Sequence, residues 1–237
     1  MNETRVVVVK TRRYCIASCL ALAALGLCVG AAAALPAKPE AAKTPAANKA
    51  SPTILVVGDS LSAEYGLKRG EGWVALLEKE LVSEQIPGKV VNASISGDTT
   101  SGGRSRLPAL LAAHKPAVVV IELGGNDALR GLPITMTKDN LAALTTASQK
   151  SGAKVLLLGM QLPPNYGADY GEKFAATYAA VAKSQKAELV PFFLKGVADN
   201  ADALKLFQPD RIHPKAEAHP IMLRNVWPAL IKTLKAK

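Results

Sequence analysis

The sequence predicts an α/β fold: a three-layer α/β/α sandwich around a five-stranded parallel sheet. Three observations predict it. From Thr53 onward, short runs rich in Val, Ile and Leu alternate with longer helix-like segments. The short runs are apolar throughout rather than alternating, as strands covered on both faces must be. The first four of them are each followed by a polar or Gly-rich turn, the place where an open parallel sheet carries its ligand chemistry.

The elements follow in order. Residues 1–14 carry Arg5, Lys10, Arg12 and Arg13, and an Ala-rich apolar run of 20 residues extends from 15 to 34. A basic start, an apolar core and a small-residue exit describe a secretory signal peptide, with cleavage expected near Ala34. The rival is a transmembrane anchor, for which the run is long enough. Its alanines make it weakly apolar, and Ala31-Ala32-Ala33-Ala34 suits a peptidase, so residues 1–34 are read as a signal peptide. Two look-alikes fail here. Ile16-Ala17-Ser18-Cys19 has lipobox letters but opens the apolar core instead of following it. Thr11-Arg12-Arg13 is followed by Cys15-Ile16 where a twin-arginine signal has Phe-Leu.

Residues 35–52 are rich in Ala, Pro and Lys, without an apolar period, and read as a linker. The folded domain is expected over 53–237. Within it the strand candidates are 53–57, 89–92, 117–123, 154–160 and 188–192. Helix candidates are 72–84, 102–114, 137–151, 170–186 and a last one near 216–235. In the first helix, Trp73, Leu76, Leu77, Leu81 and Val82 form an apolar stripe. Right-handed crossovers would put every strand's carboxyl end on one edge of the sheet.

All three cysteines, Cys15, Cys19 and Cys28, lie in the leader. The remainder then has no disulfide framework, Cys-ligated metal or Cys nucleophile, and it avoids wrong pairing in an oxidising compartment. The formal charge is +10; the leader's four Lys/Arg and one Glu account for +3 and leave +7. The basic residues are scattered, and no basic helix or aromatic-interleaved strand suits nucleic acid. A positive surface also permits weak attraction to an anionic membrane.

The strand-end turns hold the candidate chemistry. Ser60, in Gly58-Asp59-Ser60-Leu61-Ser62 after the first strand, is the candidate nucleophile. A serine needs a base, and the chain has three histidines, His114, His213 and His219. His114 ends a helix on the opposite edge, and His219 precedes Pro220 in the closing helical segment. His213 sits in Asp210-Arg211-Ile212-His213-Pro214, where an Asp three residues earlier can reach Nδ1 and fix the tautomer. Acyl transfer also needs donors for a developing oxyanion. The candidates are the N–H groups of Ser60 and Gly97 and the carboxamide of Asn126. Taken singly, each residue also fits a plain turn: Gly97 a positive φ, Asn126 an Asx turn, Asp210 and His213 a surface loop.

Together these blocks resemble the SGNH-hydrolase (GDSL esterase/lipase) family. The blocks occur in order: Gly58-Asp59-Ser60-Leu61-Ser62, Gly97, Gly124-Gly125-Asn126-Asp127, and Asp210 with His213-Pro214. The resemblance spans about 53–227 and is closest to the bacterial arylesterase, acyl-CoA thioesterase I and lysophospholipase L1 branch. Residues 91–99 and 122–127 carry the closer match, with 162–167 in support. The resemblance implies a flavodoxin-like sheet, a Ser60–His213–Asp210 triad and an oxyanion hole of Ser60, Gly97 and Asn126. It implies hydrolysis of aryl esters, acyl thioesters or lysophospholipids through an acyl-enzyme, with no cofactor and no metal, in the periplasm or outside the cell. Glu64 and Arg211 stand where close relatives often have Gly. Leu129, Leu162, Pro163 and Tyr166 are the candidate substrate-binding residues, on loops that could line an apolar groove. A carbohydrate O-acetylesterase shares the same blocks, and a non-catalytic lipid-binding protein could share the fold.

Other motifs fail. The pentapeptide ends in Ser62, so it is not the G-x-S-x-G elbow. Gly70-x-Gly72-x-x-Ala75 does not directly follow a strand, as a dinucleotide loop would. There is no Walker A loop and no histidine pair at metal-ligand spacing.

Overall fold

Five strands are made where the apolar runs lie: β1 (Thr53–Gly58), β2 (Lys89–Asn92), β3 (Val118–Glu122), β4 (Lys154–Leu158) and β5 (Glu188–Val190). The computed structural model describes residues 51–236, so the proposed signal peptide and nearly all of the linker lie outside the described residues. All strand pairs are parallel, in the order β2-β1-β3-β4-β5. The helices are α1 (Trp73–Ser83), α2 (Thr100–His114), α3 (Gly125–Leu129), α4 (Ile134–Lys150), α5 (Ala168–Gln185) and α6 (His219–Lys235). Helices α1 and α6 pack together on one face of the sheet, and α2, α4 and α5 on the other. This is the expected three-layer sandwich.

Coverage on both faces explains the composition of the central strands. Ile54, Leu55, Val56 and Val57 of β1 and Val118, Val119, Val120 and Ile121 of β3 are all buried. Each such side chain contributes about 1.5–3 kcal/mol when taken out of water. β2 is an edge strand, and Val90 and Val91 are only partly buried. In α1 the buried stripe is Trp73, Val74, Leu77 and Leu81, while Val82 is 76% exposed. Val82 lies about 100° around the helix from Leu81 and so leaves the apolar face.

The boundaries moved for local reasons. Helix α2 starts at Thr100, because the Thr99 side chain accepts from Gly102 N at 3.2 Å and caps it. β5 stops before Pro191, which has no N–H for the ladder. The closing segment opens with a 3₁₀ turn, Ala216–Ala218, before α6 begins at His219. The five-residue α3 was not anticipated; the Gly-Gly-Asn-Asp block reads as a turn in sequence.

The strand order fixes where a site can form. After β1 the chain moves outward to β2, then crosses back to place β3 on the other side of β1. Loops leaving β1 and β3 therefore diverge, and a crevice opens beyond their carboxyl ends, at the switch point of the topology. Ser60 follows β1 and Asn126 follows β3.

Candidate active site

The turn after β1 is built by its own Asp. Asp59 Oδ1 accepts from Leu61 N at 3.0 Å, and Asp59 O accepts from Ala63 N at 2.9 Å. This lifts Ser60 onto the outside of a tight turn. Asn92 Nδ2, at the end of β2, donates to Ser62 O at 2.8 Å and ties the turn to the neighbouring strand.

His213 arrives from the loop before α6. Its Nε2 lies 2.9 Å from Ser60 Oγ, and its Nδ1 lies 2.7 Å from Asp210 Oδ2. The other carboxylate oxygen, Oδ1, accepts from Ile212 N at 2.9 Å and His213 N at 3.0 Å. The His213 backbone N–H is the main reason that the Asp210 carboxyl is held down to about 2, with the Ile212 N–H and the imidazole adding to it against partial desolvation. Asp210 is thus an acceptor that keeps the Nδ1 proton in place, leaving Nε2 free to take one.

Arg211 turns the loop with φ 58°. Glu64, the other departure from glycine, sits at φ 59°, so both positions use the left-handed region that glycine enters freely. Glu64 offsets its strain by accepting from Gly70 N at 3.0 Å and Gly72 N at 2.9 Å. Gln208 clamps the two loops: its Nε2 donates to Tyr65 O at 3.0 Å and Pro214 O at 3.1 Å, and its N–H donates to His213 O at 2.8 Å. The Tyr65 ring lies against the imidazole, centroids 4.3 Å apart.

Gly97 has φ 78° and lies in the loop after β2. That loop is pinned to the end of β1 by Ile95 N donating to Gly58 O at 3.0 Å, and by Arg106, which pairs with Asp98 at 2.8 Å and also donates to Ala93 O. Arg130 Nη2 donates to Gly97 O at 2.7 Å. Among the described residues, the N–H groups of Ser60 and Gly97 have no acceptor. Asn126, in the first turn of α3, donates from Nδ2 to Asp59 Oδ2 at 2.9 Å.

The structure therefore brings Ser60, His213 and Asp210 into one hydrogen-bonded line and sets Asn126 beside Ser60's neighbour. Leu129 is exposed on α3 next to Arg130. Leu162 packs against the core margin, Pro163 is exposed, and Tyr166 is half-buried in a 3₁₀ turn. No hydrogen bond among the described residues joins any of these three to Ser60, Asn126 or His213. Two surface grooves of about 540 and 420 Å³ lie along α1, and neither is lined by Ser60, Asn126 or His213.

Several residues were missed in sequence. His219 is 2% exposed; its Nδ1 accepts from Trp73 N at 3.0 Å, capping α1, and burial holds its pKa down. Glu122 is 1% exposed and accepts from Ser62 Oγ at 2.7 Å and from Asp59 N at 3.3 Å. Ser62 Oγ in turn accepts from Trp73 Nε1 at 3.1 Å. Asp127 is fully buried and accepts from Thr100 N at 2.9 Å, and from the Thr100 hydroxyl, locking α2 to α3. Glu122 left one signal, a lone carboxyl closing the apolar run Val118–Glu122. Tyr65, Ile95 and Ile212 are exposed large apolar residues in the same turns; their signal was their size among polar neighbours.

A sequence profile of the GDSL-like Lipase/Acylhydrolase family matches residues 56–221. The chain is 56% identical over 181 residues to the Pseudomonas aeruginosa protein named Esterase TesA, covering 76% of this chain and 89% of that one. It is 42% identical over 173 residues to the Escherichia coli K12 protein named thioesterase 1/protease 1/lysophospholipase L1, covering 73% of this chain and 80% of the other. A solved structure described as the crystal structure of TesA shares 56% identity, with a TM-score of 0.74 over 76% of this chain and 99% of that one. With the profile, these identities and the same parallel sheet all in agreement, the chain belongs to the GDSL-like lipase/acylhydrolase family, the SGNH hydrolases.

Proposed function

We propose that this hydrolase is an exported serine esterase that cleaves carboxylic esters or thioesters with apolar acyl or aryl groups. Residues 1–34 direct export, 35–52 form a linker and 53–237 form the hydrolase domain. The observation that carries the chemistry is the line from Asp210 Oδ2 to His213 Nδ1, 2.7 Å, and from His213 Nε2 to Ser60 Oγ, 2.9 Å.

In the reaction His213 Nε2 takes the Ser60 proton while Oγ bonds to the substrate carbonyl carbon. The carbonyl π pair moves onto oxygen, where the N–H groups of Ser60 and Gly97 and the Asn126 carboxamide receive it. Asp210 stabilises the imidazolium that forms. Collapse breaks the bond to the leaving alcohol or thiol, which collects the proton from His213. Water then attacks the acyl-Ser60 ester by the same route and releases the acid.

The apolar substrate class rests on exposed side chains of the segments that carry Ser60, Gly97, Asn126 and His213. Tyr65, Ile95, Leu129 and Ile212 are exposed large hydrophobic residues on the turns that carry the site. Leu162, Pro163 and Tyr166 extend the same edge. The names of the relatives point the same way, to esters, thioesters and lysophospholipids.

The test is hydrolysis of p-nitrophenyl esters from acetate to palmitate by wild type and Ser60→Ala. Wild type should prefer acyl chains longer than acetate, and Ser60→Ala should lose at least ~10³-fold in kcat. Equal rates for the two proteins would refute the mechanism. A strict acetate preference would refute the apolar acyl assignment and favour O-acetyl substrates.

A further inference from the structure

We propose that Asp59 is a positioning residue for the oxyanion donor, its carboxylate orienting the Asn126 carboxamide, and that the buried acid Glu122 holds Asp59 for this task. The inference rests on the reading of Asn126 as an oxyanion donor. It gives a role in the reaction to two carboxyl groups that lie outside the Ser60–His213–Asp210 line.

A continuous set of hydrogen bonds runs from Trp73 through Ser62, Glu122 and Asp59 to Asn126. Indole Nε1 of Trp73 can only donate, and it donates to Ser62 Oγ at 3.1 Å. The Ser62 hydroxyl then gives its single proton to Glu122 Oε2 at 2.7 Å. Glu122 Oε2 also accepts from Asp59 N at 3.3 Å, which fixes Asp59 beside the buried Glu122 carboxyl. Asp59 ends the chain as an acceptor on both oxygens, from Leu61 N at 3.0 Å and from Asn126 Nδ2 at 2.9 Å.

Two neighbouring carboxyl groups out of water resist ionising together, so around neutral pH the pair carries one proton and one charge. Burial raises both; Asp59 rises to about 6 and Glu122 goes well above its usual value. The other ionisable groups facing the pair are His213, which favours the Asp59 anion, and Tyr178, whose own ionisation the two carboxyls oppose. Near neutral pH Asp59 is therefore the carboxylate and Glu122 the acid.

The consequence falls on Asn126. A carboxylate has no proton to give, so the carboxamide must turn its NH₂ group, not its oxygen, toward Asp59. One N–H is spent on Asp59. The second, in the same amide plane, has no other acceptor among the described residues and is held ready for a developing charge. A donor fixed in advance needs no reorganisation at the moment of reaction, which is what makes such donors effective. Gly58 allows the arrangement: a Cβ there would sit 2.8 Å from both Glu122 Oε2 and Ser62 Oγ.

A double-mutant cycle on a p-nitrophenyl ester tests this, using wild type, Asp59→Asn, Asn126→Ala and the double variant. Asn126→Ala should lower kcat by roughly 10²–10³ with little change in KM. Asp59→Asn, whose amide can present a donor to Asn126, should lower kcat by about 10-fold or more in the wild-type background. In the Asn126→Ala background the same change should cost less than ~3-fold, because the residue it positions is gone. An equal cost in both backgrounds overturns the positioning role while leaving Asn126 as a donor. An unchanged kcat in Asn126→Ala removes the donor itself, and the inference with it.

A second measurement needs no folded Asp59 variant. In the wild-type protein, the ¹⁵N side-chain amide signal that disappears in Asn126→Ala should shift as the Asp59 carboxyl, followed by ¹³C, titrates. An amide signal that stays fixed through that titration overturns the contact.

Discussion

Replacing Glu122 with glutamine should stabilise the protein by an amount that grows with pH. Glu122 is 1% exposed, and burial beside Asp59 raises its pKa well above the usual 4.5. In the unfolded chain it ionises near that usual value. Above it, unfolding releases a proton that the native state must keep. For a carboxyl raised in the folded state, the native protein has its full stability below the unfolded pKa and loses it as pH rises. The slope is about 1.4 kcal/mol per pH unit until Glu122 itself ionises in the fold.

The Glu122→Gln side chain keeps the same shape. Its carbonyl oxygen can accept from Ser62 Oγ and Asp59 N, as Glu122 Oε2 does. It carries no charge in either state, so it escapes the slope. Relative to wild type, the variant should therefore gain stability steadily between pH 5 and pH 7, for as long as Glu122 keeps its proton in the fold. Urea unfolding at pH 5, 6 and 7 reads this directly from the shift in midpoint at constant m. A constant offset between the two proteins would not bear on the argument; only its slope does. A difference that is flat with pH, or that turns against the variant as pH rises, would mean Glu122 is ionised in the fold. The assignment of charge to Asp59 would then be wrong.

Two further predictions concern the loops. Arg211→Gly should raise stability by about 0.5–1 kcal/mol in thermal melts, because Arg211 sits at φ 58°, a region that costs a side chain and not glycine; a clear loss would mean the Arg211 side chain holds the loop. His219→Ala should cost about 2–4 kcal/mol, since it opens a cavity and leaves Trp73 N without its 3.0 Å acceptor. That cost should shrink on acidification below pH 6.5. His219 is held neutral by burial, so wild type alone loses stability as pH falls from the unfolded-state pKa toward the lower native one. A cost independent of pH would refute the neutral imidazole.

The fold was legible because burial on both faces leaves little choice of residue. Val118–Glu122 and Thr53–Gly58 could hardly be anything but central strands. The candidate site blocks were legible because Ser60, Gly97 and Asn126 each follow a strand, while His213 sits with Asp210 in the loop before α6. What stayed hidden depends on partners far apart in sequence. Glu122 meets Ser62 across 60 positions, and His219 meets Trp73 across 146. A lone carboxyl closing an apolar run marks the position of Glu122 but not the partners that it meets. Strand order was hidden for the same reason: the short run Lys89–Asn92 does not say which strand it will pair with, and it lies at the edge beside β1. The short helix α3 was hidden because its first turn is made of Gly125, Asn126 and Asp127, residues that elsewhere make turns.

The central claim is that Ser60 Oγ carries the acyl group, and acid-quenched mass spectrometry on a p-nitrophenyl ester tests it most directly. Wild type quenched during turnover should show one acyl group, on the peptide that contains Ser60. Ser60→Ala should show none and release no p-nitrophenol above background. An acyl group on any other peptide, or turnover by Ser60→Ala at the wild-type rate, would contradict the account.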